Sequence, residues 1–149
     1  YLQALPLTTQ VADATLVHAS PHNPEDWDYL ISAADGFQVF GDFDTRVCFV
    51  GHSHRPAWWS LGSSGPDWRP HLGPEDGPLK LEDGRRYIVN VGSVGQPRDG
   101  DPRAAYALWD VEARAATVRR VPYDHRAAAQ KILAAGLPRI LAERLAHGA

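Results

Sequence analysis

The amino-acid sequence predicts a mixed α/β fold, in which short strands form the core and helices close the chain. Residues 46–50 and 87–91 are apolar runs of strand length that stop at a glycine, a pattern typical of strands buried on both faces. The chain has 149 residues, of which 44% are hydrophobic, so it is long and apolar enough to form a core. We find no internal repeat and no linker, which predicts one structural unit.

Local patterns assign the remaining elements. Residues 14–18 form a strand that ends in a histidine, and Asn23 followed by Pro24 predicts the start of a helix that extends to about residue 32. Residues 62–78 contain four glycines and four prolines, which predicts a long loop without regular structure. Further strands are expected at 57–61, 105–111 and 116–121, a short helix around Phe37, Val39 and Phe40, and terminal helices at 124–135 and 138–147.

The composition excludes several classes of function. Fifteen Lys and Arg against eighteen Asp and Glu give a net charge of −3, without the basic excess that binding to a nucleic-acid polymer requires. The apolar runs are far shorter than the ~20 residues of a membrane span. Cys48 is the single cysteine, which excludes an intrachain disulfide and a Cys-x-x-Cys metal site. We therefore expect a cytoplasmic protein that contacts neither nucleic-acid polymers nor membranes.

Three histidines lie at the ends of predicted strands. His18 ends the first strand, and His52 and His54 follow the apolar run 46–50 across Gly51, a glycine that allows a sharp turn. Ligands of α/β sheets bind beyond the carboxyl ends of strands, and imidazole is a ligand for divalent Zn, Fe, Mn or Ni. A His-x-His pair in a loop is more often ordinary surface histidine, but a second strand-end histidine favours a metal site. The candidate metal ligands are therefore His18, His52 and His54.

Other side chains are weaker candidates for substrate binding. Arg98 either binds a phosphate through its two-pronged guanidinium or pairs with Asp99 or Asp101. Asn90 and Ser93 lie at the end of a predicted strand, where they are candidates for orienting a ligand or donating backbone N–H groups.

The remaining polar and aromatic residues have mainly structural interpretations. His22 lies either at the rim of the histidine site or on the surface, and Cys48 is expected in the core. Because Trp58 and Trp59 are adjacent on a strand, one faces inward and the other outward. The outward one, together with Trp68, forms either a platform for a nucleotide base or a packing surface. The other histidines are expected to face solvent: His71, His125 and His147.

Three motifs follow one another along the chain: Val-His-Ala-Ser-Pro at 17–21, Gly-His-Ser-His at 51–54, and Asn-Val-Gly-Ser-Val-Gly-Gln-Pro-Arg at 90–98. Together they resemble the second half of the calcineurin-like metallophosphoesterases, and more narrowly the compact bacterial phosphodiesterase branch of that superfamily. The resemblance extends over nearly the whole chain, to Val-Pro-Tyr-Asp at 121–124.

The resemblance implies the four-layer α/β/β/α sandwich of that family, with residues 1–149 as the C-terminal portion of a single domain. The family's first ligand motifs, Asp-x-His, Gly-Asp-x-x-Asp, and Gly-Asn-His-Asp or Glu, are not found in this sequence. Gly41-Asp42-Phe43-Asp44 lies after His18 and is predicted to be a turn. The chain also begins at Tyr1 and contains no methionine. We therefore expect the N-terminal portion of the same protein as a partner of this chain.

The resemblance also implies a dinuclear metal site and a hydrolytic activity. His18 and His52 correspond to ligands of one cation and His54 to a ligand of the other, with Mn, Fe or Zn as the expected divalent metals. The implied reaction is hydrolysis of a small phosphoester, of phosphodiester or nucleotide type, by a metal-activated hydroxide.

Two alternatives remain open at this point. One is a non-catalytic binding or assembly module that retains the fold, and the other is a mononuclear metal hydrolase that uses His18, His52 and His54 alone. Three histidines without a bridging carboxylate do not hold two close cations against their mutual repulsion. We therefore expect this chain alone to be inactive. The sequence leaves homo-oligomer formation open.

Overall fold

Two β-sheets form the framework of the molecule. The computed structural model describes residues 1–149, except for the side chain of Leu2. The strands are β1 (Thr8–Val11), β2 (Ala14–Val17), β3 (Val47–Val50), β4 (Ala57–Gly62), β5 (Gly65–Arg69), β6 (Leu79–Lys80), β7 (Arg85–Asn90), β8 (Ala104–Asp110) and β9 (Ala115–Val121). The helices are α1 (Ala33–Gln38), α2 (His125–Ala134) and α3 (Arg139–Glu143), and 3-10 turns lie at Leu2–Ala4, Pro24–Asp26, Pro74–Asp76 and Arg144–Ala146. The predicted mixed α/β fold class is confirmed.

The larger sheet has six strands in the order β1-β2-β3-β7-β4-β5. Strands β2, β3 and β7 are parallel, whereas β1, β4 and β5 pair antiparallel with their neighbours. Because the three parallel strands run in one direction, their carboxyl ends lie along the same edge of the sheet. The segments that follow these strands therefore come together there, although they are far apart in the sequence.

A smaller sheet packs on one face of the larger one. It has the strand order β6-β9-β8, and the predicted hairpin of β8 and β9 is confirmed. Val47 and Val89 from the larger sheet and Ala116 and Val118 from the smaller sheet are all fully buried in one cluster. The two sheets thus share a core, as the face-to-face packing of a sandwich requires.

The opposite face of the larger sheet is covered by α1 and the loops around it. Cys48, Trp59 and Ile88 are buried there against Phe40 and Phe43. All four residues of β3 are buried, because this strand is covered on both faces. This explains the continuous apolar run that predicted the strand.

Two helices begin at side-chain caps. Ser32 and Asp35 form a reciprocal capping box at the start of α1, and the Asp124 carboxylate accepts a 2.9 Å hydrogen bond from the Ala127 N–H at the start of α2. The predicted terminal helices are confirmed, and Gly136 follows α2 with a φ of 70°. None of the helices in the described residues has the length and hydropathy that crossing a membrane requires.

The predicted helix from Pro24 to about residue 32 is wrong. The structure has one 3-10 turn at Pro24–Asp26, and irregular backbone follows it up to Ile31. Asn23 and Trp27, on either side of the turn, both have left-handed backbone, with φ values of 39° and 58°. Asn23 makes no side-chain cap hydrogen bond, so neither end of the turn has the geometry from which an α-helix continues.

The predicted irregular loop at 62–78 is also partly wrong. Residues Gly65–Arg69 form β5, which pairs with β4 across a two-residue turn between Gly62 and Gly65. Pro66 lies on this edge strand, where its missing N–H removes no bond that a neighbouring strand needs. Glycine and proline content therefore predicted a loop where the chain forms a hairpin.

Candidate metal centre

Three histidines lie at the edge of the larger sheet where β2 and β3 end. His18 follows β2 directly, and His52 and His54 follow β3 after Gly51. The Gly51 N–H donates a 2.9 Å hydrogen bond to the His18 carbonyl, so the contact between neighbouring strands continues into the loops. The structure thus brings the predicted His18 and His52–His54 segments side by side.

The imidazoles of His18 and His52 face each other closely. His18 Nε2 lies 3.1 Å from His52 Nδ1. Two nitrogen ligands at about 2.0–2.1 Å from one tetrahedral cation lie about 3.3 Å apart. The separation of this pair is close to that value and is also that of a hydrogen bond between the two rings.

His54 has a different hydrogen-bond partner and a fixed orientation. Its Nδ1 lies 2.7 Å from the Gln96 carbonyl oxygen. Because a carbonyl only accepts, the Nδ1 atom carries the proton and the Nε2 lone pair is available to a ligand. A carbonyl behind a histidine is the usual outer partner of a metal ligand. Gln96 was not singled out from the sequence, since a backbone acceptor leaves no signal there.

The sharp turn after β3 is made by the histidines themselves. His52 and His54 have φ values of 60° and 62°, in the left-handed region that non-glycine residues rarely occupy. A Cβ atom on Gly51 would lie 3.5 Å from the His18 carbonyl oxygen, which is an ordinary contact. The expectation that Gly51 makes the turn is therefore wrong, and the strained backbone coincides with the candidate ligands.

Asn90, at the end of β7, holds the loop of residues 51–54 by hydrogen bonds. Its side chain is fully buried, and its amide donates hydrogen bonds of 2.7 Å to the Gly51 carbonyl and 2.9 Å to Ser53 Oγ. Its carbonyl oxygen accepts from the Gly92 N–H at 3.0 Å. Asn90 therefore orients the loop that carries His52 and His54, through contacts on both sides of its amide.

Burial and neighbouring positive charge favour the neutral form of two histidines. Burial lowers the pKa of His52, and His18 and Arg98 lower it further, against a hydrogen bond to the Trp27 carbonyl that raises it. Burial also lowers the pKa of His54, and the Arg98 charge adds to this effect, while the Gln96 carbonyl opposes it. Neutral imidazole is the form that ligates a metal.

Arg98 lies next to the histidines with its charge unmatched by a carboxylate. Its guanidinium donates hydrogen bonds of 3.3 Å and 2.7 Å to Gln96 Oε1. Within the described residues, no carboxylate lies at ion-pair distance from Arg98, because Asp99 pairs with Arg120 and Asp101 pairs with Arg103. The alternative in which Arg98 pairs with Asp99 or Asp101 is therefore wrong.

Ser93 has a structural role in the same loop. Its hydroxyl accepts a 3.0 Å hydrogen bond from the Gln96 N–H, and its carbonyl accepts a 2.8 Å bond from the Ala105 N–H of β8. The serine therefore shapes the turn that presents Gln96 to His54 and Arg98.

The three histidines fit a pair plus one ligand better than a single three-ligand site. A single metal ion needs ligand atoms that converge. In the described part of the chain, one group of three residues has ligand atoms all within 4.8 Å of one another, namely the exposed residues His71, Glu75 and Asp76. The three strand-end histidines do not converge in this way, although His18 and His52 do as a pair. The single three-ligand site that the mononuclear alternative requires is therefore not preformed by these histidines in the described residues.

Two aromatic side chains that the sequence did not single out stand beside the histidines. The Tyr29 ring stacks on His52, with ring centroids 4.2 Å apart and an interplanar angle of 27°. The Trp27 ring lies 5.1 Å from His18 and 5.9 Å from His52. Both residues are about half exposed, at 46% for Trp27 and 48% for Tyr29. Trp27 and Tyr29 were not singled out because the sequence predicted a helix there, in which no contact with the histidines was expected.

The tryptophans of β4 and β5 do not form the suggested base platform. Trp59 is buried in the core, whereas Trp58 packs on the cluster between the two sheets and Trp68 packs on the cluster of the opposite face. The packing interpretation is therefore correct. Cys48 is buried as expected, and burial raises the pKa of its thiol to about 12, so it is not a nucleophile at neutral pH.

His22 lies near the histidine centre but is held by a carboxylate. Its Nδ1 is 3.0 Å from Asp42 Oδ1, and the hydrogen bond and charge of Asp42 raise the pKa of His22. Asp42 belongs to the turn predicted at 41–44, and its contact keeps His22 at the rim of the site. Of the other histidines, His71 and His147 are exposed, as expected, and His125 is partly exposed.

A broad apolar trough of about 1160 Å³ opens beside the three histidines. Its walls come from both sheets, with Leu16 and Phe49 on one side and Tyr106 and Trp109 on the other. The segment before β1 adds Leu5, Pro6 and Leu7. Extended apolar surface of this kind is typical of interaction sites and of ligand-binding grooves.

Comparison with known proteins agrees with this architecture. A metallophosphoesterase of Sphaerobacter thermophilus, known from its crystal structure, is 40% identical to this chain and superposes with a TM-score of 0.85, over 100% of this chain and 60% of the other. A hypothetical protein of Pyrococcus horikoshii shares the fold at 22% identity, with a TM-score of 0.68 over 100% of this chain and 53% of that one.

A relative of this chain is also found among proteins compared by sequence. An uncharacterized protein of Methanocaldococcus jannaschii is 38% identical over 132 residues, which are 88% of this chain and 50% of that protein. No family model matches the sequence. The chain spans between a half and three-fifths of the length of these relatives. The shared fold and the 40% identity to a metallophosphoesterase support placing this chain in the calcineurin-like metallophosphoesterase superfamily.

Proposed function

We propose that this chain supplies the C-terminal ligands of a metal-dependent hydrolase of small phosphodiesters or nucleotides. The observation that carries the proposal is the close pair of His18 and His52, with His54 one residue further along the same loop. Two divalent cations, drawn from Mn, Fe and Zn, are the proposed cofactors. When bound, they supply Lewis-acid stabilisation of the phosphoryl oxygens and the activation of water.

Each residue of the site has a separate part in this proposal. His18 and His52 hold one cation, and His54, oriented by the Gln96 carbonyl, holds the other. Arg98 is free of carboxylates and donates to the phosphoryl oxygens of the substrate, as a guanidinium does to phosphate. Asn90 keeps the histidine loop in place from within the sheet.

The remaining ligands come from a preceding segment of the same protein. The apolar trough supports this part of the proposal, since it lies directly beside the histidines and needs a partner to cover it. The relatives are longer than this chain, and a protein of their length would include such a segment. The chain alone is then inactive, because its histidines do not bridge two cations.

The test compares the intact protein, which includes the preceding segment, with its histidine variants. We expect two equivalents of metal per molecule and Mn²⁺-dependent hydrolysis of phosphodiesters. His52→Ala should lower kcat/KM by about 100-fold or more and remove bound metal, since it deletes a ligand. His125→Ala, on α2, is the matched control and should leave both measurements unchanged.

Retention of metal and activity by the His52→Ala variant would contradict the proposal. If the intact wild-type protein binds no metal and hydrolyses no phosphodiester, the result would instead support the alternative of a non-catalytic binding or assembly module.

A further inference from the structure

A second cavity, of about 480 Å³, adjoins the histidine centre through Tyr29. The Tyr29 ring stacks on His52 and also lines this cavity, so the two spaces share one aromatic wall. The volume lies within the ~300–1,000 Å³ range of small-molecule sites. Its other walls include Ser20, His22, Asp28, Leu30 and Gln38.

The charges around the site differ between its two sides. Arg98 places positive charge near His52 and His54, whereas the second cavity is lined by the carboxylates of Asp28 and Asp35. Carboxylates repel a phosphate but accept hydrogen bonds from hydroxyl and amino groups. A phosphoester bound here therefore has its phosphate towards the histidines and Arg98, and its uncharged organic part towards Asp28.

The aromatic wall offers a partly exposed planar surface. Tyr29 is about half exposed, although it is held on one side by the His52 ring. Trp27 keeps a left-handed backbone with a φ of 58°, an unfavourable conformation for a bulky residue. Such conformations persist where the surrounding structure fixes them, most often at ligand sites.

We propose that this cavity binds the nucleoside part of the substrate, with the base stacked on Tyr29 and its donor groups on Asp28. The assignment of the phosphate to the histidines rests on the proposed function, whereas the binding of a nucleoside by the cavity does not. The two proposals can therefore be tested separately.

The first experiment measures adenosine binding to the intact, metal-free protein by calorimetry. Adenosine carries no phosphate, so its binding reports on the cavity alone. Tyr29→Leu should weaken binding by about tenfold, because it removes the stacking surface, and Tyr29→Phe should restore it. Asp28→Ala should weaken binding by a similar factor, and Asp26→Ala, two residues away and outside the cavity, is its matched control.

The binding result decides the proposal in either direction. Adenosine binding that falls in Tyr29→Leu and Asp28→Ala but not in Asp26→Ala supports the cavity as a nucleoside site. No detectable binding of adenosine, or equal binding by the wild type and Tyr29→Leu, would overturn it.

The second experiment measures selectivity between two phosphodiesters that differ only in the base. These are the methyl ester of adenosine 5′-monophosphate and the methyl ester of ribose 5-phosphate, both assayed with Mn²⁺. Tyr29→Leu should lower kcat/KM for the adenosine ester about tenfold more than for the ribose ester. Equal losses on both esters would show that Tyr29 only positions His52, which overturns the proposal.

Failure of the proposed function gives a different result. If the wild type hydrolyses neither ester, the proposed hydrolase function is contradicted. The adenosine titration still decides whether the cavity binds a nucleoside.

Discussion

A single amide, that of Asn90, links the end of β7 to the loop that carries His52 and His54. It is fully buried and uses both of its polar atoms, on Gly51, Ser53 and Gly92. A buried polar group that loses its partner costs about 1–3 kcal/mol, so one side chain here fixes several backbone positions. The precision of the histidine pair therefore depends on a residue that has no direct contact with either imidazole among its hydrogen bonds.

Replacement of Asn90 should consequently affect stability and metal binding together. We expect Asn90→Ala to lower the free energy of unfolding by about 2–3 kcal/mol, since it leaves buried partners unsatisfied. Metal affinity should fall as well, because the histidine loop loses its support. Urea unfolding and metal titration of the intact protein measure the two effects, with the exposed Gln130→Ala on α2 as the control. Unchanged stability in Asn90→Ala would contradict this role.

At the scale of an element, α1 depends on packing more than on helix propensity. The helix has six residues, begins at a capping box and contains Gly36, which is buried against the Trp59 indole. Burial raises the pKa of Asp35, but hydrogen bonds from the Ile31 and Ser32 N–H groups outweigh it and lower the pKa overall. The capping carboxylate therefore stays charged at neutral pH, and the helix start is maintained.

Gly36→Ala should destabilise the protein although alanine favours helices. The higher helix propensity of alanine alone would stabilise the folded protein by about 1 kcal/mol. A Cβ at this position, however, would collide with the Trp59 ring. Overpacking usually costs about 1–3 kcal/mol, so after the gain in propensity we expect a net loss of up to about 2 kcal/mol. Thermal unfolding measures this change. The exposed Ala34→Gly in the same helix is the control, with a loss of about 1 kcal/mol from propensity. A stabilised Gly36→Ala variant would contradict the packing argument.

The sequence predicted the buried strands well because their signal is local and continuous. Residues 46–50 and 87–91 correspond closely to β3 and β7, which are buried strands of the larger sheet. The edge strand β5 was missed, since its pairing with β4 is a tertiary contact that its prolines and glycines conceal. The predicted helix at 24–32 was wrong because Asn23 and Trp27 have left-handed backbone, which an α-helix cannot contain.

The candidate site was predictable only in part for a related reason. Histidines at the ends of strands are visible in the sequence, and the parallel order of β2 and β3 brings them together. Gln96 acts through its backbone carbonyl, which no side-chain pattern reveals. Tyr29 acts by stacking after an irregular segment, whose course depends on the whole fold.

At the scale of the molecule, the apolar trough is a broad surface that the chain itself leaves uncovered. It lies between the two sheets and beside the histidines. A partner that covers it would complete the hydrophobic core and the metal site with the same contacts. Assembly and metal binding are then coupled, because the site is complete only after the trough is covered.

A charge placed in the trough should therefore disrupt assembly. Leu16 lines the trough with 37% exposure, and Leu16→Glu should weaken association of this chain with a separately expressed preceding segment by about tenfold or more, since it buries a carboxylate among apolar side chains. Leu133→Glu, on α2 with 50% exposure, is the control and should associate normally. Size-exclusion chromatography with light scattering measures the complex. Equal association of both variants would contradict the assignment of the trough.

The left-handed backbone of His52 and His54 has an energetic consequence. Each such residue costs on the order of 1 kcal/mol relative to glycine, so backbone conformation alone would favour glycine at both positions. The imidazoles of His52 and His54 are therefore present at a conformational cost to the folded backbone.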